Sequence, residues 1–144
     1  MKIIEEIKKL GQVYENETSI SPEQIVEKFP FLKNLNDYVK TLSNYSFIGY
    51  GLEDEPDDSN DYYTFSLYPM EEIVQTKEEL VEEKLFNFAY SEEFTKNTED
   101  HKFSSFYIDT YEGKVFLETD QGFKYHTDNF LEFLEKQKEK MEII

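Results

Sequence analysis

The chain of 144 residues carries 32 Asp and Glu against 15 basic residues, all Lys, for a net charge of −17. That balance excludes a nucleic-acid binder working through phosphate neutralisation, which needs basic patches. High charge also favours disorder, but Leu, Ile, Val and Phe supply 40 of the 144 residues, above the level of roughly 20% below which chains tend to stay unfolded.

One folded domain over 1–144 is therefore expected. Cysteine is absent, which excludes disulfides, a thiolate nucleophile and Cys-ligated zinc or iron–sulfur sites. No apolar run approaches the roughly 18 residues of a membrane span, and the first ten residues alternate charges with aliphatics and lack the apolar core of a signal peptide. A soluble, cytoplasmic protein is the expectation.

Ile3, Ile4, Ile7 and Leu10 recur at helical spacing, predicting a first helix from 2 to about 14. Ser21-Pro22-Glu23-Gln24 is a second start signal, with a capping Ser, Pro at the first helical position and Gln three residues after the cap. That helix meets Phe29-Pro30, where Pro30 biases Phe29 away from helical angles. Leu32, Leu35, Tyr38 or Val39, and Leu42 resume the period, giving a third helix over about 33 to 43.

Tyr45 to Tyr50 is aromatic and β-branched and reads as the first strand. Residues 51 to 61 form an acidic loop with six carboxylates. Tyr62 to Tyr68 alternates Tyr63, Phe65 and Leu67 against Tyr62, Thr64, Ser66 and Tyr68, a second strand. Pro69 to Ile73 predicts a helical turn, and Thr76 with Glu79 a capping box that starts a helix to about Lys84. Leu85 to Tyr90 alternates as a strand, and the polar residues 91 to 101 read as a mobile loop. Phe103 to Asp109 and Lys114 to Thr119 flank Thr110-Tyr111-Glu112-Gly113 as a hairpin. A short strand, Phe123 to Tyr125, precedes a last helix capped by Thr127 and carrying Phe130, Leu131, Phe133, Leu134 and Met141. Terminal helices around antiparallel-type strands indicate α+β.

This order, from Ile20 to Leu134, resembles the SUKH superfamily of fungal Smi/Knr-like regulators and bacterial immunity proteins. Asp37-Tyr38-Val39-Lys40-Thr41-Leu42 is similar to the family's helix before the first strand. Leu67-Tyr68-Pro69-Met70-Glu71-Glu72-Ile73 resembles its strand and Glu-Glu-Ile turn. Tyr107-Ile108-Asp109 and Gly113-Lys114-Val115 are similar to its central hairpin, and Thr127 to Leu134 to its closing helix. Ser43-Asn44 replaces a usual Gly, and Asn36 a usual Pro. The resemblance implies a single SUKH-like domain, an antiparallel sheet packed by N-terminal and C-terminal helices. It also implies a non-catalytic immunity protein that neutralises a cognate bacterial toxin by direct binding. The alternative is a regulatory or scaffold protein of the Smi/Knr type.

Among local features, the acidic loop is the most unusual. It is either simply solvated or a docking surface for a basic protein, such as a nuclease toxin domain, whose association its charge would speed. Glu53, Asp54, Glu55, Asp57, Asp58, Asp61 and the adjoining Tyr62 are the expected contacts. The loop lacks EF-hand spacing. Pro56-Asp57 with Glu112-Gly113-Lys114 mimics a metal-dependent nuclease, but a hairpin turn should point Glu112 into solvent. His101, expected in a polar loop, and His126, beside a helix cap, have no His or Cys at ligand spacing. No serine lies in a Gly-x-Ser-x-Gly elbow. Of Tyr45, Tyr50, Tyr62, Tyr63, Tyr68 and Tyr107, more than half are expected in the core or at its edge and the rest as interface anchors. The expectation is therefore no catalytic residue, metal or cofactor, a protein partner, and no direct contact with nucleic acid or membrane.

Overall fold

The computed structural model describes residues 2–10, 12–17, 19–51 and 61–143. α1 (Lys2–Lys8) buries Ile3, Ile4 and Ile7. The helix expected to reach about residue 14 ends there, because Gln12–Glu17 form β1 and pair antiparallel with β2 (Tyr45–Gly51). Val13 and Tyr14 favour strand, and the backbone partners that decide between helix and strand lie more than thirty residues away.

α2 (Pro22–Lys28) starts as its sequence predicts. Gln24 N–H donates to Ser21 Oγ at 3.2 Å, and Ser21 N–H donates back to Gln24 Oε1 at 3.1 Å. A 3₁₀ turn at Pro30–Leu32 precedes the third helix, and α3 covers Asn36–Asn44, starting a few residues after the expected 33.

The remaining elements are β3 (Tyr62–Leu67), β4 (Leu85–Thr95), β5 (Asp100–Asp109), β6 (Val115–Thr119), β7 (Gly122–Thr127) and α4 (Phe130–Ile143). Among the described residues, seven strands make one antiparallel sheet in chain order, β1 to β7. The coarse expectation of α+β with terminal helices on an antiparallel sheet holds.

Two expectations between β3 and β5 are corrected. The Thr76–Glu79 capping box forms, but it closes only a 3₁₀ turn at Lys77–Glu79 rather than a helix to Lys84. Leu80 is extended and buried, and Glu82 and Glu83 take positive φ of 54° and 60°, which end any helix. Lys84 is held instead by its carbonyl, which accepts from both the N–H and the hydroxyl of Thr110 at 2.9 Å.

The polar loop expected at 91–101 is mostly sheet: β4 runs to Thr95 and β5 begins at Asp100. A bulge hid this continuation. Asn87 pairs with Tyr107 but Ala89 with Phe106, so Phe88 is an extra residue and the alternation changes phase there. Both Phe88 and Ala89 are fully buried, and past them it is Ser91 that faces inward.

The helices cover one face of the sheet. Phe133 of α4 stands edge-on to Phe88 at 4.9 Å and Phe106 at 5.0 Å. Tyr38 of α3 inserts among Phe130, Phe86 and Phe88 at 5.5–5.9 Å. Tyr63 donates its hydroxyl to Gln137, a buried polar pair tying β3 to α4, and burial holds the Tyr63 phenol above its ordinary pKa. Lys138 and Glu6, 3.0 Å apart, connect α4 to α1 at the surface.

The Tyr38 hydroxyl is buried without a hydrogen-bond partner among the described residues, a condition that costs about 1–3 kcal/mol. Tyr38→Phe is therefore expected to raise the urea midpoint of unfolding. Phe88→Ala, which empties the centre of the cluster, should lower stability by about 3–5 kcal/mol. A stability loss on Tyr38→Phe would show that the hydroxyl contributes a favourable contact.

Candidate protein-binding face

Strand pairing fixes which side chains face away from the helices. Ser66 stands opposite Tyr90, Tyr90 opposite Ser105, Phe94 opposite His101, Tyr107 opposite Phe116, and Phe116 opposite Tyr125. The outer face of β3 to β7 therefore carries Tyr90, Phe94, Phe103, Tyr107, Phe116, Phe123 and Tyr125, with Tyr62 at one end and Tyr68 just beyond β3. Phe103 is 72% exposed and Tyr125 52%, and Tyr90 and Phe123 are also exposed. The rings touch in pairs: Tyr68 with Tyr90 at 5.1 Å, Tyr107 with Phe123 at 4.8 Å, and Phe116 with Tyr125 at 6.4 Å. Exposed aromatic residues gathered on one side of the sheet make this face the candidate binding surface. Charged residues facing outward within these strands include Glu92 and Glu118, while Lys102 and Lys124 face the helix side.

Glu53, Asp54, Glu55, Asp57 and Asp58 lie outside the described residues, as does Pro56. Asp61 closes the loop, its Oδ1 accepting the Lys96 N–H at 2.7 Å, which ties it to the β4–β5 turn. Tyr62 differs from the expected exposed contact. Its ring is 3% exposed and stacks on Phe94 at 5.5 Å, and its hydroxyl donates to Glu92 Oε1 at 2.6 Å. Tyr62 lies on the outer face by register but is buried there, so it offers little surface to a partner.

His101 belongs to β5, not to a loop. Its Nδ1 lies 3.6 Å from Glu92 and 3.4 Å from the Tyr62 hydroxyl, and its ring packs on Phe94 at 4.6 Å. Glu112 and Lys114 are exposed in the β5–β6 turn and pair with each other at 3.4 Å, with Gly113 between them at φ 81°. Among the described residues, no group of three or more His, Asp or Glu is placed to hold a metal ion. Of the six tyrosines singled out, Tyr62 and Tyr63 are buried, Tyr45, Tyr68 and Tyr107 are half-buried, and the Tyr50 side chain lies outside the description. Tyr90, Phe103, Phe123 and Tyr125 escaped sequence reasoning. The available signal was the same-face spacing of Phe103 with Tyr107 and of Phe123 with Tyr125, while Tyr90 is read on the face of Phe86 and Phe88 until the bulge is seen.

Comparison with protein-family models, with curated proteins and with solved structures finds no match for this chain. No helix among the described residues is long and apolar enough to cross a membrane.

His126 is on the helix side, against Phe106 at 5.2 Å and Phe133 at 6.2 Å, and its Nε2 is buried without a partner among the described residues. Burial, aided by Lys136 and Lys140, holds its pKa below the ordinary 6.5. The unfolded chain therefore takes up a proton before the folded one. The stability contributed by neutral His126 is complete above about pH 6.5 and is lost as the pH falls through the lower folded value. Urea midpoints should fall from pH 7 to pH 5, and His126→Phe should flatten that slope. An unchanged slope in the variant would assign the loss to carboxylates.

Proposed function

We propose that this protein is a non-catalytic binding protein, an immunity protein that neutralises a toxin by covering its working surface. The open aromatic face of the sheet carries the reading. It offers rigid rings of the kind enriched at binding hot spots, with carboxylates rather than lysines between them. Aromatic sheet faces also stack nucleic-acid bases, but they do so beside cations that track the backbone, and a chain of −17 without arginine opposes a polyanion. A basic protein fits both features. The charge steers it in, and the rings hold it. The resemblance to SUKH proteins gives the role, and a nuclease domain, which must itself be basic to hold nucleic acid, is the toxin class that this surface suits.

The test uses the partner recovered from the native host with the tagged full-length chain, then purified. Phe103→Ala and Tyr125→Ala should each weaken binding about 5- to 30-fold, mainly by faster dissociation. Added salt should slow association, as should neutralising Glu53, Asp54, Glu55, Asp57 and Asp58. A complex indifferent to the two ring truncations would overturn the assignment of the face, and association rates unmoved by salt and by the acidic substitutions would overturn steering by the loop.

A further inference from the structure

β7 (Gly122–Thr127) is an edge of the sheet. It pairs with β6, and no strand among the described residues lies on its other side. An edge strand presents a row of backbone N–H and C=O groups to water, and proteins usually blunt it with charges or proline on the strand. β7 is blunted little. It contains no proline, residues 122 to 125 are exposed, and Lys124 faces the helix side. On the outer side it carries Phe123 and Tyr125, 37% and 52% exposed.

The aromatic row of the face ends at this edge. Strand register lines up Tyr107, Phe116 and Tyr125 across β5, β6 and β7. Tyr107 and Phe116 are half-buried, each with a strand on both sides. Tyr125 has Phe116 at 6.4 Å on one side and no strand on the other, and its hydroxyl donates to Asp128, which holds the ring in place. A strand added there would set a side chain against Tyr125 with the Cβ atoms about 4.5–5.5 Å apart. The opposite edge, β1, is three strands away from Tyr90, the nearest exposed ring of the face. Acids mark both ends of β7: exposed Asp120 stands in the turn before it and exposed Asp128 follows it.

We infer that β7 accepts an extended segment of the basic protein that docks on the open face, added to the sheet as a further strand. The inference rests on the binding reading of that face. In strand addition the main-chain hydrogen bonds hold the segment and its alternate side chains give specificity. The side chains on the outer face would be apolar, to pack on Phe123 and Tyr125. Those on the helix side would be polar and uncharged, since a base there would stand against Lys124, and a Lys or Arg at each end would meet Asp120 and Asp128. A second copy of this chain fits less well. The antiparallel register that matches Phe123 of one copy with Tyr125 of the other also sets Lys124 against Lys124, and like charges directly opposite are destabilising. Each copy also brings a net charge of −17, which repels the other at long range.

The experiment is amide hydrogen exchange by NMR on the ¹⁵N-labelled full chain with the peptide acetyl-Lys-Val-Thr-Val-Thr-Val-Lys-amide. At ten times the Kd of the peptide, alternate amides within β7 should exchange about tenfold more slowly. Successive N–H groups of a strand point to opposite edges, so N-methylation of the three valines and N-methylation of the two threonines block opposite sides of the peptide. One of these versions should bind about tenfold or more weakly and the other should bind like the parent. Equal effects of the two methylations, or β7 amides that keep their free rates under saturating peptide, would overturn the inference. The purified partner separates the inference from the reading beneath it. A complex weakened by Phe103→Ala in which β7 exchanges as in the free chain overturns the edge assignment and leaves the face standing. A complex that slows β7 exchange but ignores Phe103→Ala and Tyr125→Ala overturns the face and leaves the edge standing.

Discussion

A seven-stranded sheet has two broad faces, and the described helices cover one of them. α1, α3 and α4 pack Ile4, Tyr38, Phe133 and Leu134 against the inner side of the strands, where Phe88 forms the centre of the aromatic cluster. On the other side Tyr90, Phe103, Phe123 and Tyr125 stay in contact with water, while Tyr62 and Phe94 are buried. Core and candidate site are thus two consequences of one asymmetry. Apolar burial on one side holds the strands rigid, at close to interior packing density, and a rigid sheet presents the opposite side chains in a fixed array. A binding surface built this way loses little conformational freedom on association, because two-angle aromatic side chains on paired strands are largely ordered beforehand.

The bulge at Phe88 is the local device that makes the asymmetry possible. It turns two successive residues, Phe88 and Ala89, toward the helices, and so sends Tyr90, Glu92 and Phe94 outward over the rest of a strand eleven residues long. Without that extra residue, the same alternation would bury the Tyr90 side and expose Ser91. A period-two pattern is phase-sensitive, and one residue moves a whole set of side chains to the other face.

Much of the architecture was legible from local signals. The Ser21 capping box, the turn after Pro69, the Gly113 hairpin and the Phe130-to-Leu134 stripe all depend on neighbours within a few residues, and each forms where the sequence places it. What escaped depends on distant partners. β1 looks helical until β2 is beside it, the Thr76 box looks like the start of a long helix until Thr110 takes the Lys84 carbonyl, and residues 91–95 look like a loop until β3 and β5 flank them. The site was less legible for the same reason. Charge draws the eye to Glu53 through Asp61, whereas the face appears only when Tyr90, Phe103, Phe123 and Tyr125, far apart in the chain, are aligned by strand register. In the proposed reading, the excess of carboxylates gives long-range attraction for a basic partner, while the rings supply the contact.

The central claim is that the face away from the helices is where this protein is bound. Fluorine NMR on the chain labelled with 3-fluorotyrosine reads that claim directly, since tyrosines stand on both sides of the sheet. Addition of the purified partner should shift the Tyr90 and Tyr125 resonances and leave Tyr38, enclosed in the core, where it was. A stable complex in which the Tyr90 and Tyr125 signals do not move would contradict the account.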